Sequence, residues 1–211
     1  MTSHPQGMLF VATNVASEDD ADFNCWYDNE HVAERVAISG FISGTRYRAR
    51  QAGRRYLGLY KTHSLDDFTR DDYYAAFTRQ TAWSVTNLQR MIDPLRRVCR
   101  IDARTGAGSG AHLAVLTCAQ PVTADDVMQV GEALSALPGF VTCARLSPDE
   151  VLSTPLPKEA RLPGRLQQMV LIEASSEAAV DALARRASTA LQGTAEFYTL
   201  SWQLTSQEMT S

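Results

Sequence analysis

The sequence predicts an α+β fold in which two tandem ferredoxin-like βαββαβ units pack sheet against sheet within one chain. Three observations predict it. A glycine-rich segment, residues 105–110, divides the 211 residues near their midpoint and has the composition of a linker. The segment 40–47 (GFISGTRY) reappears as 139–146 (GFVTCARL), which indicates an internal repeat. Strands such as 169–172 are apolar throughout, so both faces of their sheet need cover.

Both flanks of the linker give the element order β-α-β-β-α-β. Each first helix begins with a hydroxyl residue followed three positions later by an acid, Ser17 with Asp20 and Thr123 with Asp126, which is a capping pattern. Apolar periodicity and capping signals place the remaining elements. In the first half we predict strands at 8–15, 40–47, 55–61 and 95–103, with helices from Ser17 and near Ser64; in the second half, strands at 112–118, 139–146, 168–173 and 196–205, with helices at 123–137 and near Ser175.

The predicted domain plan has five parts. They are a disordered tail at 1–7, a ferredoxin-like unit with the candidate site at 8–104, the linker at 105–110, a degenerate unit at 111–205 and a second tail at 206–211. Two independent domains on a flexible linker are the alternative. Three prolines, Pro155, Pro157 and Pro163, mark a long loop at about 152–165 that is either a lid or a simple insertion.

Composition limits the partners. The net charge is -4 and the basic residues are dispersed, which is unlike a nucleic-acid-binding surface. No apolar run approaches the ~20 residues that cross a bilayer, and the N-terminus lacks the apolar core of a signal peptide, so we expect a cytoplasmic protein that does not bind membranes. The four isolated cysteines, Cys25, Cys99, Cys118 and Cys143, are interpreted as reduced packing residues.

The first helix carries polar groups on the face that should pack against the sheet. At helical spacing its stripe contains two carboxylates and an imidazole among aromatic residues. The stripe therefore either borders a polar pocket or drifts to the surface. Its members are Phe23, Trp26, Tyr27, Glu30, His31, Glu34 and Ile38.

The chain resembles the EthD-like proteins of the dimeric α+β-barrel superfamily. The matching residues lie within 8–101 and are Trp26-Tyr27-x-x-Glu30-His31-x-x-Glu34-Arg35, Gly40-Phe41, Arg46-Tyr47 and the strand 55–60. The resemblance implies a barrel of paired units with a small-molecule pocket in each, and it places the helix histidine of the EthD-like pattern at His31. Members of the superfamily include cofactor-independent monooxygenases, lactone isomerases, polyketide cyclases and haem enzymes, so the resemblance is informative about the fold and poor about the reaction.

Three residues form the candidate catalytic group: His31 as acid/base, with Glu34 or Glu30 to orient it. The alternative is a surface pairing of His31 with Glu34. A metal shared by the three residues is disfavoured, because Glu30 and His31 diverge by ~100° on a helix, and haem ligation by His31 is disfavoured as well. We predict neither cofactor nor metal.

Five aromatic residues are candidate substrate-binding residues, with packing between the sheets as the alternative. They are Trp26, Tyr27, Tyr47, Tyr60 and Trp83. The first helix of the second half has no histidine and no aromatic residue, so we expect one pocket per chain, in the first half.

Two function classes remain. One is a cofactor-independent lyase, isomerase or oxygenase that acts by acid/base chemistry on a hydrophobic oxygenated or aromatic compound. The other is a non-catalytic protein that binds or carries such a small molecule. A homodimer is compatible with the sequence, but nothing in it signals one.

Overall fold

The structure of the protein, a computed structural model, describes residues 5–51, 53–160 and 165–210. Eight strands and six α-helices are found in these residues. The first half contains β1 (Gly7–Asn14), α1 (Asp20–Trp26), α2 (Val32–Val36), β2 (Phe41–Ala49), β3 (Tyr56–Thr62), α3 (Asp71–Thr78), α4 (Ala82–Arg90) and β4 (Ile92–Gly106). The second half contains β5 (His112–Cys118), α5 (Ala124–Ser135), β6 (Phe140–Pro148), β7 (Met169–Ala174), α6 (Glu177–Leu191) and β8 (Gly193–Thr205).

The eight strands close into one antiparallel barrel. Around it the order is β1-β3-β2-β8-β5-β7-β6-β4, so four consecutive strands come from each half. The halves join at two seams, where β2 pairs with β8 and β4 pairs with β6. Because the sheet is continuous across both seams, the alternative of two independent domains is wrong.

Alternation along the strands explains why both faces of the sheet are apolar. In β3, Leu57 and Leu59 point into the barrel, where they pack with buried residues of both halves such as Phe10 and Leu113. The alternate residues Tyr56 and Tyr60 point outward and are covered by the helices of the first half. The barrel interior is thus a packed core, and the space for a ligand lies between sheet and helices.

Several predicted boundaries need correction. β4 continues through Gly106, which pairs with Thr142, so the first two residues of the predicted linker belong to the sheet. The predicted C-terminal tail contains a 3-10 turn at Glu208–Thr210, and the Glu208 carboxylate accepts hydrogen bonds from the backbone N–H and the hydroxyl of Thr205. Cys25 is exposed and is not a packing residue; the other three cysteines are buried and free.

The capping signals hold at one of the two predicted first helices. Thr123 and Asp126 form the predicted capping box at the start of α5. No side chain caps α1, which begins at Asp20 rather than after Ser17. The predicted second helix is divided into a 3-10 turn, Leu65–Thr69, followed by α3 and α4. Ser64 caps the 3-10 turn. Among the described residues no helix is long and apolar enough to cross a membrane.

Candidate functional site

A cavity of about 380 Å³ lies between the sheet and the helices of the first half. Its floor is the outward face of β1, β3 and β4, and α2, α3 and α4 supply further walls. The lining is mainly apolar and includes Leu9, Val11, Val85, Leu88, Met91 and Leu156. Four buried polar or charged side chains interrupt it or lie along it: His31, Arg35, Tyr60 and Arg96. A concave, apolar site with a few convergent polar groups is typical of small-molecule binding.

A π-helical turn, Tyr27–His31, joins α1 to α2 and changes which side chains face the sheet. A π turn accommodates one more residue than an α turn, so residues beyond it are rotated relative to an ideal helix. The regular stripe would bury Glu30 and Glu34 together with His31, whereas the structure buries His31 and Arg35. The shift brings an arginine to the cavity beside the predicted histidine and leaves both carboxylates only partly buried.

His31 is enclosed by aromatic rings. Its imidazole lies 4.3 Å from the ring centroid of Trp26, 4.9 Å from that of Tyr27 and 6.3 Å from that of Tyr60. Its Nδ1 atom is buried and has no hydrogen-bond partner among the described residues. Burial, followed by the charges of Arg35 and Arg46, holds the pKa of His31 well below its usual value. The lowered pKa keeps the imidazole neutral at pH 7, and a neutral imidazole has one nitrogen able to accept a proton, as a general base requires.

The two carboxylates are not positioned as predicted. Glu30 accepts hydrogen bonds from Thr81 (2.6 Å) and Ser84 (3.0 Å), and the Ser84 hydroxyl accepts one from the indole of Trp26. Glu30 thus ties the first helix to α4. Glu34 makes no hydrogen bond to His31, and partial burial, together with the charge of Glu30, raises its pKa. The predicted orienting role of Glu30 and Glu34 is not seen, because the π turn points both away from the imidazole.

Two buried arginines, which the sequence analysis did not select, line the cavity. The Arg35 guanidinium lies 5.1 Å from the ring centroid of Phe77, and its Nη1 atom has no hydrogen-bond partner among the described residues. The Arg96 guanidinium lies 6.0 Å from the same ring and donates to the hydroxyl of Tyr73 and to two backbone carbonyls. Arg35 belongs to the motif that carries the EthD-like resemblance, so a signal for it existed; Arg96 sits in an ordinary basic strand.

The predicted aromatic residues fall into three groups. Tyr60 lines the cavity, and Trp26 and Tyr27 pack behind His31 without lining it. Tyr47 points into the barrel, one residue out of phase with the outward face of the sheet. Trp83 donates its indole N–H to Asp22 and fastens α4 to α1 outside the cavity. Tyr47 and Trp83 therefore do not line the cavity that contains His31.

The hydroxyl of Tyr60 is a further buried polar group in the cavity wall. It is buried, and its polar neighbour among the described residues is the hydroxyl of Tyr27. Burial raises the pKa of Tyr60 well above its usual value. Tyr60 therefore remains a protonated hydrogen-bond donor throughout the physiological range.

A loop from the second half closes one side of the cavity. Leu156, Pro157 and Lys158 line it, while Pro163 lies outside the described residues. The Ser153 hydroxyl hydrogen bonds to both the N–H and the carbonyl of Val98, at 3.0 and 3.1 Å. The buried Glu159 accepts from the backbone N–H of Arg96 and forms an ion pair with Arg97. The loop is thus anchored to β4 at two points, and the second half supplies a wall to the site of the first.

The described part of the chain offers no other comparable centre. No group of three or more His, Cys, Asp or Glu side chains in residues 5–51, 53–160 and 165–210 could hold a metal ion. Two surface grooves of the second half, of about 300 and 540 Å³, are lined without any histidine or aromatic residue.

Comparison with known proteins identifies the fold. No protein-family model and no curated protein matches the chain. An anthrone oxidase-like protein is similar in structure, with a TM-score of 0.59 and 13% identity over 97% of this chain and 94% of that one. A protein assigned as a monooxygenase from Lactobacillus acidophilus gives 0.59 and 7%, over 96% and 97%. A chlorite dismutase from Candidatus Nitrospira defluvii gives 0.56 and 11%, over 95% and 92%.

The chain has the dimeric α+β-barrel fold. The eight strands of this one chain close the barrel, and the chain spans nearly the full length of each of these structures. The structural similarity identifies the fold. At identities of 7–13% it does not identify the reaction, which must be argued from the site.

Proposed function

We propose that the protein is a small-molecule enzyme that removes a proton from a hydrophobic, oxygenated ring compound without a bound cofactor, with His31 as the general base. The observation that carries the proposal is the neutral imidazole, with a buried and unpartnered Nδ1, in the wall of an apolar cavity. A base must be deprotonated to act, and the lowered pKa of His31 keeps it so.

The proposed step needs two groups of this chain. A nitrogen of His31 takes a proton from a carbon next to a carbonyl, and the electron pair of the C–H bond moves onto the carbonyl oxygen, which gives an enolate. Tyr60, protonated because burial raises its pKa, donates a hydrogen bond to that oxygen. Return of the proton to another carbon completes an isomerisation, and loss of a leaving group from the enolate completes an elimination.

The alternative is a protein that binds such a compound without transforming it. The observation in its favour is that no carboxylate orients His31, whereas catalytic imidazoles are commonly held by one. The two proposals differ in the effect of removing the imidazole: loss of proton transfer in the first, and weaker binding alone in the second.

Finer features of the fold support a duplicated origin. In each half the fourth strand precedes the first, third and second around the barrel, as in a ferredoxin-like unit. We therefore propose that the barrel consists of two tandem ferredoxin-like units and that the first unit is EthD-like.

The test is hydrogen–deuterium exchange at an acidic carbon. Anthrone, chosen because an anthrone oxidase-like protein shares the fold, and 2-tetralone are incubated anaerobically in D₂O, and loss of the C–H signal is followed by NMR. We expect exchange faster than in buffer, and a decrease on the order of 10²–10⁴-fold in His31→Gln and His31→Ala. His63→Gln, which removes an exposed imidazole, is the matched control. No acceleration by the wild type, or unchanged acceleration in both His31 variants, would contradict the proposal.

A further inference from the structure

The charges around the cavity are unbalanced. Among the described residues that line it, Arg35, Arg96 and Lys158 are cationic and none is acidic, although the chain as a whole carries a net charge of -4. Arg35 and Arg96 are 4% and 7% exposed, and no described carboxylate lies within ion-pair distance of either side chain. Arginines buried this deeply are normally paired, because removing a charge from water is costly.

The nearby carboxylates are committed elsewhere. Glu34 is adjacent to Arg35 in the chain and half-buried, and the charge of Arg35 opposes the rise in the pKa of Glu34, but no ion pair joins the two side chains. The Glu159 carboxylate is occupied by Arg97 and by two backbone N–H groups, those of Arg96 and Leu156. The guanidinium of Arg96 is satisfied by neutral oxygens alone, and the Nη1 donor of Arg35 is unsatisfied among the described residues.

The two guanidinium groups share one location. Both lie against the ring of Phe77, at 5.1 and 6.0 Å from its centroid, and both line the same cavity. The Arg35 guanidinium, with an unpartnered Nη1 beside an apolar chamber, matches a carboxylate attached to a hydrophobic body, since a guanidinium can hold both oxygens of a carboxylate at once, and Arg96 adds a second positive charge next to it. The apolar walls accommodate the body, and the arginines accommodate its charged end.

We propose that the ligand of the cavity is a hydrophobic ring compound bearing a carboxylate, and that Arg35, with Arg96, binds this carboxylate. This inference names the substrate class of the proposed function and rests on it for the site, but it concerns recognition and not the proton transfer. His31 and Tyr60 remain available for the reacting part of the molecule. The buried charge of Arg35, which no described carboxylate pairs with, indicates that Arg35 determines ligand specificity.

The test compares two probes that differ in charge and hardly in shape, 2-naphthoate and 2-naphthamide. Their binding to the full chain is measured by isothermal titration calorimetry at pH 7 and low salt. A charge-assisted hydrogen bond contributes about 1.5–3 kcal/mol, so we expect naphthoate to bind roughly 10–100-fold more tightly. Arg35→Met should remove most of this preference and leave the affinity for naphthamide within about threefold.

Three further variants make the test decisive. Arg100→Met removes the same charge from an exposed position outside the cavity and should keep the preference. Arg35→Lys keeps the charge but loses the fork, and should give an intermediate preference. Leu88→Trp fills the cavity and should abolish binding of both probes.

Equal affinities for the two probes, a preference that survives in Arg35→Met, or naphthoate binding that survives in Leu88→Trp would each overturn the inference. The readout is binding alone, so its outcome is separable from that of the exchange experiment. Naphthoate preference without proton exchange would retain the carboxylate site and reject the enzyme. Exchange on neutral anthrone without a preference for naphthoate would retain the enzyme and reject the carboxylate site.

Discussion

In the first half the space between helices and sheet holds aromatic rings, an imidazole and two guanidinium groups, Arg35 from α2 and Arg96 from β4, whereas in the second half it is filled by small aliphatic side chains. The second-half core is built from residues such as Ala114, Leu116, Ala184 and Ala187, all fully buried. α5 approaches the sheet closely at Gly131, where a Cβ atom would lie 2.4 Å from the hydroxyl oxygen of Thr105. The helices of the second half pack closely against the sheet. Those of the first half leave a cavity that is lined by buried charged side chains.

The barrel and the cavity therefore place separate demands on the two halves of the chain. Closing the barrel needs four strands from each half, and both halves supply them. A ligand site needs only one set of helices to stand away from the sheet. Buried unpaired charge destabilises a fold, and among the described residues the buried arginines that lack an ion pair, Arg35 and Arg96, line the cavity of the first half.

The largest expected stability effect breaks the packing asymmetry directly. Gly131→Leu forces a side chain into Thr105, whose Oγ1 and Cβ would lie 2.4 and 2.8 Å from the new Cβ, and should destabilise the fold by roughly 1–3 kcal/mol. The matched change Leu88→Phe enlarges a side chain that faces the first-half cavity and should cost less than about 1 kcal/mol. Urea unfolding measures both. Equal costs would mean that the two interfaces are packed alike.

The second prediction concerns the loop through which the second half reaches the first. Ser153→Ala leaves the buried N–H of Val98 without its partner and should cost about 2 kcal/mol of unfolding free energy. Ser135→Ala, which removes an exposed hydroxyl bonded within its own helix, is the control and should change stability by less than ~0.5 kcal/mol.

Weakened binding of 2-naphthoate in Ser153→Ala, measured by the same titration, would confirm that the anchored loop belongs to the site. If the variant lost stability while binding naphthoate normally, the loop would be a structural insertion only.

The sequence predicted the element order and the half that holds the cavity, because both depend on local apolar patterns and on the residue types of the first helix. It placed His31 and Tyr60 correctly in the cavity wall. It selected Glu34 in place of Arg35 because a regular 3.6-residue period was assumed, and a single π turn moves the face by one residue.

Tyr47 was misplaced for a different reason. Which face of a strand a residue occupies depends on the register, and β2 pairs so that Gly44 stands opposite Tyr60. Tyr47 is an odd number of positions from Gly44 and therefore points to the other face. Arg96 could not be found at all, because its burial depends on the loop at 152–159, which reaches it from a distant part of the chain.

The smallest expected effect is a pH dependence of the unfolding free energy that arises from His31 in the first half. The folded pKa of His31 lies well below its unfolded value of about 6.5, so below that pH the unfolded chain binds a proton that the folded chain does not. Stability is then lost as pH falls through 6.5, by at most about 1.4 kcal/mol per unit, and is unaffected by His31 above it. Burial raises the pKa of the two tyrosines against the ring, Tyr27 and Tyr60, so neither of them titrates in this range.

The measurement is the unfolding free energy of wild type and His31→Gln between pH 7.5 and 5.5, so that other titrating groups, Glu34 among them, cancel in the difference. The stability advantage of the wild type over the variant should shrink as the pH is lowered. His63→Gln should show no such trend, because His63 is exposed. If the difference in unfolding free energy between wild type and His31→Gln stayed constant with pH, His31 would take up protons as readily in the folded as in the unfolded chain. The proposal that His31 is a neutral base in the cavity would then lose its support.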